Sequence, residues 1–305
     1  MRIILSLPVL GLALMAMPEV QAQDQDPVLA QMMAGMDSAA ASKPAGPAPA
    51  AFQGTRVING HSVETTPAQV LDFRVHHRFG FVNSGAYNFF GLDNATTRIS
   101  FDYGLTSRWS VGIGRSTFLK QMDGFVKYRL LKQQLDGSMP VSLTVLAATA
   151  LRTQRPPAGA PKFTAVERMA HTFQALLARR WQAGHSLQLM PTVIHYNLVP
   201  LAADANTRFA LGAAGRLRLS RRISLTAEYY QPFQRFAGTV PPLALGVDIE
   251  TGGHVFQLHF TNGTGMTEPT FIQETTGRWD KGDIHFGFNI SRSFTLRKRS
   301  NRSQP

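Results

Sequence analysis

The feature of this sequence that most constrains its fold is an alternation of apolar and polar residues that begins near Leu71 and continues to Phe294. In the last alternating segment, Phe286, Phe288 and Ile290 share one parity, while polar residues and glycine occupy the other. Because successive side chains of a strand point to opposite faces, such a segment is predicted to be a strand with one apolar face. About a dozen segments of roughly ten residues follow one another, which is typical of a transmembrane β-barrel.

Twelve strands are predicted from this alternation. They cover residues 70–80, 95–105, 109–118, 122–132, 141–151, 171–181, 186–196, 207–219, 223–232, 243–251, 254–262 and 282–294. An even number of antiparallel strands leaves both chain ends on the same side of the barrel.

The connections between these strands differ in length in a regular way. Those after the even-numbered strands are mostly tight and contain turn formers such as Gly137, Gly184 and Gly252. Those after the odd-numbered strands are mostly long, with residues 119–121 as the exception. Because outer-membrane barrels have short periplasmic turns and long outer loops, we expect the turns and both termini to be periplasmic.

The predicted fold class is therefore all-β, a transmembrane antiparallel up-and-down β-barrel of 12 strands, preceded by a signal peptide and a flexible N-terminal segment. The predicted divisions are a signal peptide (1–22), a low-complexity periplasmic leader or linker (23–54), an extended plug or tethering segment (55–69), the β-barrel (70–296) and a basic periplasmic tail (297–305). Within the third of these divisions, residues 55–64 also allow the alternative of an extra barrel strand.

The start of the chain predicts export. Arg2 precedes an apolar stretch over residues 3–17, and the small residues Val20 and Ala22 frame a cleavage site. The chain has 305 residues, no cysteine and a net charge of +12. The lack of cysteine argues against a small secreted domain held by disulfides. The predicted location is the outer membrane.

Several stretches carry a resemblance to a known family. They are residues 55–64 (TRVINGHSVE), 73–80 (FRVHHRFG), 90–105, 111–131 and 250–272. In these stretches the chain resembles an uncharacterised bacterial outer-membrane β-barrel family, the domain of unknown function DUF5777. The resemblance covers nearly everything after residue 54 and implies an outer-membrane barrel. It brings no catalytic residues.

The parity opposite to the apolar one is predicted to face the lumen. Its basic members are Arg74, Arg78, Arg98, Lys127, Arg129, Arg180, Arg208, Arg216 and Arg218, and its acidic members are Asp72, Asp102, Glu228, Asp248 and Glu250. Because a positive channel of low dielectric concentrates anions, the excess of bases predicts an anion-favouring interior. Alternatively, these charges pair with one another across a filled barrel, with Arg74 beside Asp102 and Arg98 beside Asp72.

Two further expectations concern backbone irregularity. Pro191, inside the seventh strand, suggests a bulge that turns Ile194 and Tyr196 outward. Gly112 and Gly114 lie on the lumen parity of the third strand, where their lack of a side chain suggests close approach of another stretch of backbone.

The sequence offers no convincing catalytic or metal site, so we expect no enzymatic activity, no metal and no cofactor. His76 and His77 are neighbours on a strand and point to opposite faces, which prevents them from chelating one ion. His61 and His185 each precede a serine, but neither has a third group to orient it. The basic residues alternate along strands rather than forming a patch, so no nucleic-acid partner is expected.

Three functions remain open: a pore or transporter with a basic lumen, a closed structural or partner-binding barrel, and an outer-membrane lipid enzyme. The expected partners are outer-membrane lipid, the barrel-assembly machinery during insertion, and a periplasmic partner that binds the N-terminal segment.

Overall fold

Twelve antiparallel strands close into a single barrel in the computed structural model of the protein. Each strand pairs with its neighbours in sequence, and β1 pairs with β12 to close the ring. The predicted up-and-down barrel of twelve strands is therefore confirmed. The structure describes residue 31 and residues 45–296. The predicted signal peptide, residues 23–44 of the predicted leader apart from residue 31, and the predicted basic tail lie outside the described residues.

The strand bounds follow the sequence pattern closely. The strands are β1 (Val70–Phe81), β2 (Ala95–Gly104), β3 (Trp109–Ser116), β4 (Met122–Leu131), β5 (Ser142–Leu151), β6 (Met169–Arg180), β7 (Ser186–Tyr196), β8 (Thr207–Arg218), β9 (Ile223–Pro232), β10 (Leu243–Glu250), β11 (His254–Thr261) and β12 (His285–Thr295). A short helix, α1 (Glu268–Gln273), lies in the connection between β11 and β12.

Two strands lose two or more residues at one end relative to the prediction, because the backbone turns there. β3 ends at Ser116, since a 3-10 turn at Phe118–Lys120 follows and Leu119 and Lys120 have positive φ. β12 begins at His285, since a 3-10 turn at Trp279–Lys281 precedes it and Gly282 has φ of 77°. Extended backbone cannot pass through such positions.

The outer wall of the barrel is apolar. Large apolar side chains on alternate positions are exposed all around it, for example Ile113 on β3, Phe173 on β6 and Leu258 on β11. A membrane supplies the apolar solvent for such a belt. No helix among residues 45–296 is long and apolar enough to cross a membrane.

Pro191 does not turn β7 inside out, contrary to the sequence-based expectation. The pairing register of β7 with β8 is continuous through Pro191, whose side chain faces outward. Ile194 and Tyr196 are buried inside the barrel. Because the Pro191 ring occupies the outer face, the missing amide hydrogen costs one ladder bond without shifting the register.

The connections also follow the predicted lengths, so the barrel has a turn end and a long-loop end. The turn end carries the connections after even-numbered strands, of which the shortest is residues 251–253. The long-loop end carries those after odd-numbered strands, including residues 152–168 and residues 262–284. The last of these, which contains α1, folds inward: residues 266–273 are all buried.

Candidate functional site: the barrel interior

A stretch of chain ahead of β1 occupies the barrel. We call residues 45–69 the inner segment. It begins at the turn end, where Ala48 N donates to Gln133 O (2.8 Å) and Leu135 N donates to Gly46 O (2.9 Å). It returns to the turn end, where Gln69 N donates to Gly104 O (2.8 Å) just before β1.

Between these two ends the inner segment folds into a hairpin, residues 55–62. Val57 N donates to Gly60 O (2.9 Å), and Ser62 N donates to Thr55 O (3.0 Å). Val57 and Ile58, near its tip, are fully buried. The hairpin is therefore a compact unit surrounded by the barrel wall.

Glu228 of β9 holds the tip of the hairpin through backbone amides. Its carboxylate accepts hydrogen bonds from Ile58 N (3.2 Å), Asn59 N (3.3 Å) and Gly60 N (3.0 and 3.1 Å to its two oxygens). Consecutive amides that converge in this way form a nest for an anion. Glu228 itself is buried, so these bonds replace its contact with water.

Lys127 of β4 holds the base of the hairpin through carbonyls. Its ammonium donates to Thr55 O (3.1 Å), Ser62 O (2.8 Å) and Glu64 O (2.8 Å). An ammonium has three donors, and here all three are used on one segment. Lys127 is buried, and its charge is therefore compensated by the dipoles of the inner segment.

Amide side chains of three further strands also bind backbone groups of the inner segment. Gln188 of β7 accepts from Val63 N (2.6 Å) and donates to His61 O (2.8 Å). Gln257 of β11 donates to Val57 O (2.6 Å), and Asn289 of β12 donates to Ile58 O (2.9 Å). The inner segment is thus bonded to the wall on several sides.

Two predicted ion pairs are wrong, because the charged groups have nearer partners. Arg74 pairs with Asp72, two residues away on β1 (2.9 Å), rather than with Asp102. Arg98 pairs with Asp123 of β4 (2.5 Å) rather than with Asp72.

The inner segment intervenes between Arg74 and Asp102. Asp102 accepts a hydrogen bond from the Thr55 hydroxyl (3.2 Å), and the same hydroxyl accepts one from Arg74 (3.0 Å). A residue of the hairpin therefore takes the place of the direct ion pair that the sequence predicts.

The remaining predicted bases divide between the interior and its two mouths. Arg78 is buried and donates to Asn59 Oδ1 (2.9 Å), and Arg216 donates to Ala51 O (3.1 Å). Arg129 forms an ion pair with Glu64 of the inner segment (3.3 Å). Arg180 and Arg218 are half-buried at the turn end, where both approach Gly184. Arg208 pairs with Asp204 at the long-loop end (2.9 Å).

The two remaining predicted acids behave differently from each other. Asp248 is buried and accepts from Gln257 (3.1 Å). Glu250 is exposed rather than enclosed, because it is the last residue of β10 and a tight turn follows.

The long connection with α1 meets the hairpin inside the barrel. Arg56 donates to Glu268 (2.9 Å), and both side chains are almost fully buried. Phe271 packs edge-on against Tyr230, with ring centroids 5.4 Å apart. The Tyr196 hydroxyl donates to Pro269 O (2.9 Å). The interior is therefore filled from both ends, and the two fillers are joined by an ion pair.

His61 lies at this junction. Its Nε2 is 3.6 Å from Glu268 Oε1, and its ring meets Phe125 edge-on at 4.5 Å. Burial holds the pKa of His61 well below its usual range, and the positive charges of Arg56 and Lys127 lower it further. The ring is therefore neutral while the hairpin is in place.

Sequence reasoning missed two features of the interior. Asp123 shares the parity of Lys127 on β4, a signal that could have identified it. The inward face of β6 to β9 carries apolar side chains between its polar ones, and these pack with residues of the hairpin and of α1 in one buried cluster. That cluster includes Leu176, Met190, Ile194, Tyr230, Val57, Ile58 and Phe271. The lumen therefore contains an apolar cluster as well as charged groups.

Gly112 and Gly114 make room for side chains of the wall, not for the backbone of another segment. A Cβ at Gly112 would lie 2.3 Å from the Phe125 ring, and one at Gly114 would lie 2.4 Å from the Arg98 guanidinium. Any larger residue would displace these side chains.

A vestibule lies inside the barrel at the turn end. It has a volume of about 490 Å³ and lies between the inner segment and β1, β4 and β12, with Arg74 and Arg129 in its lining. Within residues 45–296, no three histidine or acidic side chains are grouped so as to hold a metal ion. The side chains of the wall bind backbone groups of the inner segment.

Comparison with known proteins places this architecture in a described family. Residues 52–294 match the model of the membrane bound beta barrel domain (DUF5777). No curated protein matches the sequence.

Solved structures with a similar fold are outer-membrane barrels of low sequence identity. The NanC porin is 10% identical with a TM-score of 0.46, and the match covers 73% of this chain and 98% of that one. The COG4313 outer membrane channel from Pseudomonas putida F1 is 13% identical with a TM-score of 0.47, covering 76% and 98%. The Acinetobacter baumannii outer membrane protein Omp33 is 10% identical with a TM-score of 0.40, covering 73% and 97%.

Proposed function

The chain belongs to the membrane bound beta barrel domain family, and we propose that it is an outer-membrane channel closed at rest by its own inner segment. In this proposal residues 45–69 are a plug, and solutes pass only after the hairpin moves toward the turn end. The single observation that carries the proposal is the use of Lys127 and Glu228, both charged and buried, to bind backbone groups of the hairpin. A lumen built for constant flow would leave such groups in water.

The bases of the lumen give the open state its preference for anions. With the hairpin withdrawn, Lys127 loses its three carbonyl partners and Arg78 loses Asn59. Bases outnumber acids on the lumen parity, so the exposed channel attracts anions. The partly buried Arg180 and Arg218 extend this potential to the turn-end mouth.

The sidedness of the proposal follows from the connections. Short turns are periplasmic in outer-membrane barrels, which puts the turn end, both termini and the entrance of the inner segment in the periplasm. A periplasmic partner that binds the leader ahead of residue 45 would then pull the hairpin along the path by which it enters. The same proposal includes the route to the membrane. A cleaved signal peptide directs export, and the barrel-assembly machinery inserts the barrel into outer-membrane lipid.

A second candidate, a closed structural or partner-binding barrel, is favoured by one observation. Residues 266–273, which belong to a different connection from the inner segment, also fill the long-loop end. If this filling is permanent, withdrawal of the hairpin opens nothing.

Planar-bilayer recording of the intact protein and of a variant lacking residues 45–66 separates these candidates. We expect the intact protein to be closed and the deletion variant to conduct, with a reversal potential in a salt gradient that indicates anion preference. Silence of both proteins would support the closed barrel. Equal conductance of both would contradict a plugging role of the inner segment. A reversal potential near zero would remove the anion preference.

A further inference from the structure

A second cavity lies at the long-loop end, outside the barrel interior. It has a volume of about 710 Å³ and opens beneath the connection between β5 and β6, residues 152–168. Four bases line it: Arg152, Arg155, Lys162 and Arg168. We call it the outer pocket.

The acidic groups near the outer pocket are already engaged. Glu274 forms an ion pair with Arg152. The Glu167 carboxylate accepts from the amide and the hydroxyl of Thr164 (2.7 Å each), and these hydrogen bonds lower the pKa of Glu167. Among residues 45–296, no acid forms an ion pair with the other three bases of the pocket. The outer pocket therefore carries an excess of positive charge.

The rest of the lining is apolar. Leu119, Pro156, Phe163 and Leu198 contribute to it. Phe163 and Leu198 remain about two-fifths exposed, at 42% and 40%. An apolar surface that stays open beside unpaired bases is complementary to a molecule with an anionic head and an apolar chain.

The pocket is held in shape by hydrogen bonds within its connection and to two neighbouring connections. Ala160 N donates to Pro157 O (3.2 Å), which closes a turn. Asn197 donates to Val166 O (2.7 Å), and the Thr153 hydroxyl donates to Lys120 O. Such bonds reduce the ordering that a ligand would have to impose.

We propose that the outer pocket binds a phosphorylated amphiphile, a phosphate monoester carried on an acyl chain. Arg155, Lys162 and Arg168 bind the phosphate, and Phe163 and Leu198 contact the start of the chain. Arginine and lysine give charge-assisted hydrogen bonds to phosphate oxygens. Arg152 directly follows β5 and Arg168 directly precedes β6, so the pocket borders the strand ends, from which the acyl chain can continue along the apolar wall. The proposal does not depend on whether the barrel conducts.

The test is isothermal titration of the full-length protein in a non-ionic detergent with dodecyl phosphate. The heat of mixing with protein-free micelles is subtracted. We expect saturable binding that weakens about tenfold or more in the triple variant Arg155→Gln, Lys162→Gln, Arg168→Gln, because the charge-assisted hydrogen bonds to the phosphate oxygens are lost. The matched control is Arg221→Gln with Arg222→Gln, two exposed bases of the β8–β9 turn at the other end of the barrel.

Titrations with other ligands show whether the affinity comes from the phosphate, from the acyl chain or from both. Inorganic phosphate is expected to bind far more weakly than dodecyl phosphate; equal affinity would show a site for the free anion and would overturn the amphiphile proposal. If dodecanol competes for the pocket as well as dodecyl phosphate does, the site is apolar, and the role of the bases would be overturned. Saturable binding that is unchanged in the triple variant, or no binding at all, would also overturn it.

Discussion

Lys127 and Glu228 bind the same hairpin from opposite walls of the barrel, one through its carbonyls and the other through its amides. The two residues lie on β4 and β9, five strands apart in a ring of twelve. No direct ion pair joins them; the dipoles of the hairpin separate their charges. Each is stabilised in a buried position only while the hairpin is present. The inner segment and the charged lumen are therefore one unit, and the expectations below follow from that dependence.

Glu228→Gln is expected to loosen the hairpin, because the replacement removes the negative charge and turns an amide donor toward the amides of residues 58–60. The chain has no cysteine, so Val57→Cys, at a fully buried position, introduces a single thiol whose labelling reports withdrawal. We expect its labelling rate to rise about tenfold or more, since a hydrogen bond to a charged group contributes roughly 1.5–3 kcal/mol. The matched control is Asp93→Asn, an exposed acid of the β1–β2 connection. Equal rates in both variants would contradict the anchoring role of Glu228.

Gly60→Ala is expected to have a similar effect for a steric reason. A Cβ at Gly60 would lie 2.2 Å from the Tyr230 hydroxyl, which no packed structure tolerates. Tyr230→Phe removes that oxygen and leaves the next ring atom at 3.3 Å, so the double variant is expected to recover much of the protection of the thiol introduced by Val57→Cys. Gly54→Ala serves as the control in the same segment, because its Cβ would meet nothing closer than 3.5 Å. Failure of Tyr230→Phe to restore protection would show that the hairpin does not seat against β9.

The ion pair between Arg56 and Glu268 is expected to couple the two fillers of the barrel. Removing either partner, by Arg56→Met or Glu268→Gln, leaves its buried counterpart unpaired, so each single change should favour withdrawal. The double change should cost less than the sum of the two, by about 0.5–3 kcal/mol in the free energy of hairpin docking. Thiol labelling in the Val57→Cys background, compared across the four proteins of the cycle, measures this difference. The exposed pair Arg278 and Asp280 is the control and should show no coupling. Additive effects at Arg56 and Glu268 would mean that the fillers move independently.

The sequence was sufficient for the wall of the barrel but not for its contents, and the reason is physical. Each strand residue faces either the membrane or the lumen, so the alternation around Phe286 and Phe288 indicates which of the two each residue faces. The partner that a lumen side chain contacts is not indicated by any local sequence pattern. Thr55 stands between Arg74 and Asp102 because a separate segment folds there, which no local pattern encodes. For the same reason the apolar side chains that β6 to β9 turn inward could not be distinguished from irregularities in the strands.

Acidification is expected to release the hairpin through His61. While the hairpin is docked, burial and the charges of Arg56 and Lys127 hold the pKa of His61 well below its usual range, with Arg98 and Arg74 acting in the same direction. Glu268, 3.6 Å away, is the one acid that opposes them at contact distance among the described residues.

In water the withdrawn ring regains a pKa of about 6.5. The withdrawn state therefore takes up the proton first, so docking is fully favoured above about pH 6.5 and weakens as the pH falls below it. Each pH unit below that point should shift the equilibrium about tenfold until the docked pKa is reached. Labelling of the Val57→Cys protein with a pyridyl disulfide, normalised to the exposed control Ala203→Cys, should rise as the pH is lowered from about 7.5 to about 5.5, on either side of that pKa. The rise should disappear in His61→Gln and persist in His254→Gln, a histidine at the start of β11; a slope that survives His61→Gln would assign the pH dependence to another group.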